Sequence, residues 1–541
     1  MRFHGWLVFL TALAAVGAVE PYDLVIYGST PAAITAAIEA DACGRTAIIV
    51  CPEDHVGGMT TNGLGWTDAG KTEAIGGRAR DFYREVWKHY REDAAWTRES
   101  RESYAKGRKL IDDVGQVMWT FEPHVAQGIF DRWLKDAGIE VLHGQWLDRE
   151  KGVTLEEGRI RRICMLSGRE IHGHIFMDAT YEGDLMAAAG VPYRVGREAN
   201  AEYGETLNGI QTAKAVSHQF KHPVDPYKVP GDPQSGLLSG IDPSPPGNDG
   251  DADSRVQAYC FRLCLSRHPD NRVPFPKPEG YDPADYELLL RYFQAGWSDW
   301  REVSRKFDPM PNQKTDSNNH GGFSFDFIGM NHDYPEADYL RRKAIVEEHR
   351  RYQQGLLWFM ANDPRVPEGI RDGIASWGLA ADEFKDHGNW PRQLYIREAR
   401  RMRSDFVMTE RHVRRRLATP DPIGMGSYNI DSHHVRRYVD AEGHVRNEGD
   451  VQVPPGGPYP IGYGAVVPPK GKCANLLVPV CLSATHAAYG SIRMEPVFMI
   501  LGQSAAIAAD LALDSGVPLQ DIDRVLLRQR LDAAGQMVDL K

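Results

Sequence analysis

The stretch "YDLVIYGSTPAAITAAIEADACGRTAIIV", Tyr22 to Val50, decides the fold. Asp23–Tyr27 is an apolar run that ends at Gly28, as a buried parallel strand does. Pro31 to Ala42 carries Ala33, Ala36, Ala37 and Ala40 on one face, small enough for a helix to lie close against a sheet. Thr46–Cys51 then reads as a second strand. Strand, helix and strand in this order predict a parallel sheet with a right-handed crossover. The first turn reads GSTPAA, where a dinucleotide-binding turn reads GxGxxG. Gly28 keeps the tight turn, Ala33 serves the close helix–strand contact, and Thr30 stands in place of the second glycine. Thr30 is a good N-cap and Pro31 suits the first helical position. Such a helix start offers N–H groups and a positive dipole end to a phosphate. On this turn alone, a nucleotide cradle and an ordinary strand-to-helix turn stand level.

Working outward, "CPEDHVGGMTTNGLG" follows from Cys51 to Gly65. A ribose-binding acid is expected about 20 residues beyond the first glycine. Cys51 holds that place, with Glu53 and Asp54 just after it. Gly57-Gly58 allows a second close approach of backbone. Helical spacing predicts helices over 76–90 and 122–137, a strand over 139–142, and a hairpin of 159–166 and 170–177 around Ser167-Gly168. From Glu205 proline and glycine crowd the chain into loop, and helical patterns return at 286–296 and 335–361. Asn475 to Leu513 reads again as strand, loop and small-residue helix. The expected architecture is α/β: a Rossmann-like FAD/NAD(P)-binding domain with a parallel sheet, plus an inserted mixed α+β substrate domain. Its boundaries are a leader over 1–18, the first domain over 20–204, the insert over 205–451, the first domain resumed over 452–515, and a C-terminal helical tail over 516–541.

The 541 residues carry a net charge of −11, which argues against a nucleic-acid partner. "MRFHGWLVFLTALAAVGA" has a positive start, a short apolar run and a small-residue cleavage site after Ala18. It reads as a secretory signal peptide, so the mature chain is expected to be periplasmic or extracellular, with no membrane span. Seven cysteines are too sparse for a disulfide scaffold, and the odd count leaves a thiol unpaired. Cys260 and Cys264 are spaced for one helical face, but two thiols do not hold an iron–sulfur cluster. There is no HExxH, no CxxC and no second glycine-rich strand-to-helix turn, so no metal site and no NAD(P)H domain are expected.

Taken together, "YGSTPAAITAA", "HVGGMTTNGLGWTD", "AIGGRARDFY", "FMDATYEGDLMAAAGVPYRVGREA", "CFRLCLS", "NLLVPVCLSATHAAYGSIRMEP" and "GQSAAIAA" carry a resemblance. The chain resembles the FAD-dependent oxidoreductases of the glutathione-reductase-type fold over Tyr22 to Gly516. Within them it is similar to the exported branch grouped with the flavin domain of heterodisulfide reductase. The resemblance implies FAD as cofactor. It implies Gly28, Ser29, Thr30, Pro31, Ala32 and Ala33 at the pyrophosphate, and Gly57, Gly58, Met59 and Thr60 along the ribityl and phosphate path. It implies Ala179 and Thr180, after Asp178, at the adenosine side. It also implies Gly490, Ser491 and Met494 beside the isoalloxazine ring, with a helix from Pro496 aimed at it. Cys51 departs from the family, which has an acid there, and Glu53 is the expected replacement.

In flavin chemistry a substrate C–H loses hydride to the ring while a base takes an O–H or N–H proton. His486 and Arg493, close to the ring-side segment, are the expected catalytic residues. "GSYNIDSHH" offers His433 and His434 as other histidines, a poor metal pair because neighbours point differently. Arg397, Arg400 and Arg401 read as a helical run, equally a salt-bridged face. Trp297, Trp300, Trp358, Trp377 and Trp390 suit either a sugar platform or a core. The expected function is an exported FAD-dependent oxidoreductase acting on a small organic substrate, a sugar or an alcohol. Its electron acceptor is unidentified: oxygen, a quinone or a small carrier. A non-catalytic binding protein on a decayed flavin fold, and a flavin-dependent hydratase or isomerase without net redox, are the alternatives.

Overall fold

The computed structural model describes residues 20–108 and 110–540. The leader expected over 1–18 lies outside the described residues. The opening stretch forms β1 (Tyr22–Tyr27), α1 (Pro31–Ala42) and β2 (Ala47–Val50). After these come α2 (Gly77–Arg91), α3 (Pro123–Asp136) and β3 (Glu140–Leu142). The antiparallel strands β4 (Val153–Glu156) and β5 (Arg159–Cys164) lead into the long β6 (Glu170–Asp178). The sheet order is β3-β2-β1-β6-β5-β4. Its core is parallel: β1 pairs β2 from Leu24↔Ala47 to Tyr27↔Val50, and β6 with Tyr27 opposite Asp178. The inner part of β1 and all of β2 are buried, which is why they read as unbroken apolar runs rather than alternating ones. The carboxyl ends of β1, β2 and β6 therefore open onto one crevice, where ligands of such sheets bind.

A 21-residue helix, Glu495–Ser515, returns to this sheet and lies against α1. Small side chains permit the approach: a Cβ added at Gly502 would stand 2.2 Å from the Ala32 carbonyl oxygen. Thr35 Oγ1 donates to Met499 O at 2.8 Å across the same contact. This helix is long and apolar enough to cross a bilayer, yet 94% of its apolar window is buried inside the fold.

The second region is built on an antiparallel sheet of β7 (Leu263–Ser266), β8 (Arg272–Val273), β9 (Phe307–Met310), β10 (Lys314–Ser317) and β11 (Gly378–Ala380), ordered β8-β11-β7-β10-β9. The long helix α4 (Tyr339–Asn362) follows β10 in the chain. Further on, β12 (Ile430–Ser432) pairs with β13 (Val451–Val453), so strand pairing crosses position 451. Cys260 and Cys264 are not on a helix: Cys264 lies in β7 and Cys260 bridges Tyr395 in extended chain. Arg397, Arg400 and Arg401 are not helical either. Each is buried and faces a carboxylate: Asp326, Asp184 and Glu398, respectively. The pattern misread here is a charge run in extended backbone, where each side chain finds its own interior partner.

The two regions meet through buried ions. Asp184, just after β6, receives Arg342 of α4 at 2.6 Å, Arg400 at 2.7 Å and Arg149 at 3.3 Å. Burial pushes its carboxyl up, but the three guanidinium groups outweigh this and hold it at about 2.

Candidate active site

At the end of β1, Gly28 has φ +124° and a Cβ there would stand 2.5 Å from the Ala179 carbonyl group. The glycine is therefore required by the close approach of the β6 end. Thr30 is the N-cap of α1 but makes no capping bond; its hydroxyl donates to Ala179 O at 2.7 Å. Ser29, Thr30 and Ala32 are buried, and among the described residues their backbone N–H groups have no acceptor. Three orphan donors around Pro31 at a helix start form an anion cradle. Gly57 (φ +100°) and Gly58 (φ +49°) make the facing turn, with Gly57 N–H donating to Ser29 O at 2.6 Å.

Beside this cradle lies a cavity of about 350 Å³, lined by Tyr27, Glu53, Trp146, Thr180, Tyr339 and Leu394 among others. Glu53 accepts from Ser29 Oγ at 2.8 Å. Burial pushes its carboxyl up to about 7, with Glu182 adding to the rise. The Cys51 thiol turns back onto the Glu53 carbonyl oxygen at 3.2 Å. Orphan amides for a diphosphate, glycines at the closest approaches and a carboxylate in an aromatic cavity fit FAD.

Farther along, the Glu495 side chain accepts from Thr60 Oγ1 at 3.0 Å and from Tyr181 OH at 2.8 Å. Tyr181 OH in turn accepts from Met59 N–H at 2.9 Å. This chain ties the glycine turn to the start of the 495–515 helix.

The segment expected beside the ring contains α5 (His486–Ile492) and then α6, the helix Glu495–Ser515 described above. His486 does not line the cavity that Arg493 and Met494 border. It is 2% exposed, with Nδ1 2.8 Å from Glu398 and its N–H on Glu198. Gly490 packs against Asp431 backbone, and Ser491 Oγ donates to Tyr428 O at 2.6 Å. Arg493 and Met494, at the junction of α5 and α6, do line a cavity.

That second cavity, about 340 Å³, is lined by Trp66, Asp68, Trp119, His218, Arg262, Lys306, Asp308, Tyr395, Tyr428, Asp431, His433 and Arg493, with further polar residues. His433 Nδ1 is 2.7 Å from Asp326, which also binds Arg397 at 2.9 Å. Burial, with Arg397 nearby, keeps the His433 ring well below the usual histidine range and therefore neutral. Arg397 and His433 hold Asp326 ionised against the cost of its own burial, so Nδ1 carries the ring proton and Nε2 is an acceptor. Arg493 donates to Tyr395 OH and to Asp431 O, both at 2.8 Å. Burial raises the Asp431 carboxyl to about 6, with Arg493 opposing.

The tryptophans of this cavity are Trp66 and Trp119. None of Trp297, Trp300, Trp358, Trp377 and Trp390 lines it; Trp297 stacks on Tyr292 and Trp390 is fully buried. Asp326 and Asp431 carry no sequence signal of their own, since their partners arrive from distant segments. His433 was visible only as one of two adjacent histidines. His434 instead holds Ser217 O at 3.0 Å. Among the described residues, Glu122, His124 and Glu383 are close enough to share a metal ion. The Lys314 ammonium already sits among these acids, 2.7 Å from Glu122 and 2.6 Å from Glu383.

A comparison with curated proteins finds no match. Among solved structures, L-proline dehydrogenase from P. horikoshii is 17% identical over 33% of this chain and 59% of its own, with TM-score 0.23. L-amino acid deaminase from Proteus vulgaris is 15% identical over 36% of this chain and 55% of its own, with TM-score 0.24. The chain thus spans less than two thirds of these solved chains. The sequence profile of the FAD dependent oxidoreductases matches residues 23–531, nearly the whole chain. The chain belongs to the FAD dependent oxidoreductase family, and FAD is its cofactor.

Proposed function

We propose that the protein oxidises a small, hydroxyl-rich substrate, a sugar or related alcohol, in the cavity beside Arg493 and Met494. One observation carries this reading: a neutral histidine, oriented by a buried carboxylate, faces a polar cavity at the start of α6. FAD, when bound, takes the hydride equivalent lost by the substrate carbon. His433 Nε2 takes the hydroxyl proton, and Asp326 fixes the ring and stabilises the imidazolium that results. Asp68, Asp308 and Asp431 accept from substrate hydroxyls, while Lys306 and Arg493 donate to them. Trp66 and Trp119 give flat apolar faces of the kind a pyranose packs on. Glu53 is assigned the ribose contact that the family gives to an acid at Cys51. His486, bonded on both Glu398 and Glu198, is a positioning residue for α5.

Similarity to the heterodisulfide reductase flavin branch, and export with cleavage after Ala18, belong to the same proposal. A mature chain starting at Val19 supports export, and one starting at Met1 contradicts it. The activity is tested by anaerobic titration of the holoenzyme with a panel of sugars and alcohols. Bleaching of the flavin absorbance by members of the panel supports the reading. A spectrum unmoved by all of them, or substrate turnover without bleaching, contradicts it.

A further inference from the structure

The second region holds another cavity, about 200 Å³, lined by residues that the oxidation chemistry does not use. Its walls are aromatic: Tyr281, Tyr286, Phe323, Phe327 and Tyr352. Arg437 lines it too, 3% exposed. Five other deeply buried arginines are closely matched by carboxylates: Arg197 by Glu448, Arg262 by Asp316, Arg342 by Asp184, Arg397 by Asp326 and Arg401 by Glu198. Among the described residues, no ion pair includes Arg437, and its Nε and Nη2 have no hydrogen-bond partner. Its guanidinium faces the Phe323 ring at 4.7 Å, and burial lowers its proton affinity with only the Tyr352 hydroxyl and the more distant Asp326 opposing.

A guanidinium buried without a counter-ion is costly, and a bound anion removes that cost. The acids that share the cavity do not fill this role. Asp282 and Asp285 are exposed, and Glu348 is bound by Arg341 at 2.8 Å. We infer that this cavity is a second ligand site, which takes a small carboxylate with a flat apolar body. The carboxylate pairs with Arg437, in the fork geometry that guanidinium and carboxylate share, and the body packs among Phe323, Phe327 and Tyr286. The segment Phe323–Phe327 also carries Asp326, the partner of His433, so the site adjoins the proposed catalytic machinery.

The test is calorimetric titration of the holoenzyme with benzoate. Arg437→Gln is expected to weaken binding about 10-fold or more, the size of a lost charge-assisted pair. Met330→Trp, at a 38% exposed lining position, narrows the cavity without touching the arginine and is expected to weaken binding comparably. His433→Asn is expected to leave benzoate affinity unchanged. No binding to the wild type overturns the inference. So does binding that survives both cavity substitutions, or binding lost with His433→Asn alone.

Discussion

The cavity beside Glu53 and the cavity beside Arg493 are nearly equal in volume, about 350 and 340 Å³, but they are walled differently. The first presents mostly apolar surface from Tyr27, Trp146, Tyr339, Val346 and Leu394, although Glu53, Glu182, Asp184, Glu347, Arg342, Lys343 and Arg392 also line it. The second presents mostly polar surface, with three aspartates, three cationic side chains and two histidines around it. A flat aromatic group with a sugar hydroxyl to anchor suits the first. A reactant that must be oriented by many hydrogen bonds and deprotonated at one place suits the second. Under the proposed function, the difference teaches that volume alone does not separate the cofactor's cavity from the reactant's. The arrangement of fixed donors, acceptors and a neutral base does.

The comparison can be broken at several points. The largest effect is expected from Asp184→Ala at the apolar cavity, which leaves Arg342, Arg400 and Arg149 without their shared counter-charge. Stability should fall by about 3–5 kcal/mol, read from urea unfolding. In the wild type this carboxyl titrates at about 2, below its ordinary value of 3.8. Its contribution is therefore present above about pH 4 and lost as the pH falls through about 2. Next is Gly28→Val, which places a branched side chain on the Ala179 backbone at a left-handed φ. A loss of about 2–4 kcal/mol and a largely colourless protein are expected.

Glu53→Gln sharpens the comparison rather than breaking it. FAD affinity should fall about 10- to 100-fold, while flavin that remains bound is reduced at the wild-type rate. A slowed reduction step would mean that the two cavities do not divide binding from chemistry. The smallest effect concerns Asp431. It is ionised above about pH 6 and protonated below, so it loses acceptor strength toward substrate as the pH falls. KM should rise up to about 10-fold between pH 7 and 5 with kcat little changed, and Asp431→Asn should flatten that profile.

The fold around the first cavity was legible in the sequence because it is local, whereas the walls supplied by Trp146, Tyr339 and Leu394 come from distant segments and were not. Strand, turn, helix and strand over 22–50 lie in one continuous piece, and Glu53 follows directly after β2. The small residues of α1 were read as a face for a sheet; in the structure α6 lies against α1 as well, with Gly502 at the Ala32 backbone. The second cavity was not legible. Asp326 comes from the loop after β10, Arg397 from extended chain after β11, and His433 from the end of β12. Nothing local brings them together; the fold of the second region does, and their pairing offsets the cost of burying their charges. His486 shows the same limit: nearness in sequence to Gly490 says nothing about which way an imidazole turns, and Glu398, from a distant segment, holds its ring inward while Glu198 takes its backbone N–H.

The central claim is that His433 takes the substrate proton while Asp326 holds its ring. Anaerobic single-turnover reduction of the flavin in His433→Asn, with a substrate that bleaches the wild type, tests it most directly. The account predicts a rate about 10²- to 10⁴-fold lower with FAD content and resting spectrum unchanged. A reduction rate equal to that of the wild type would contradict it.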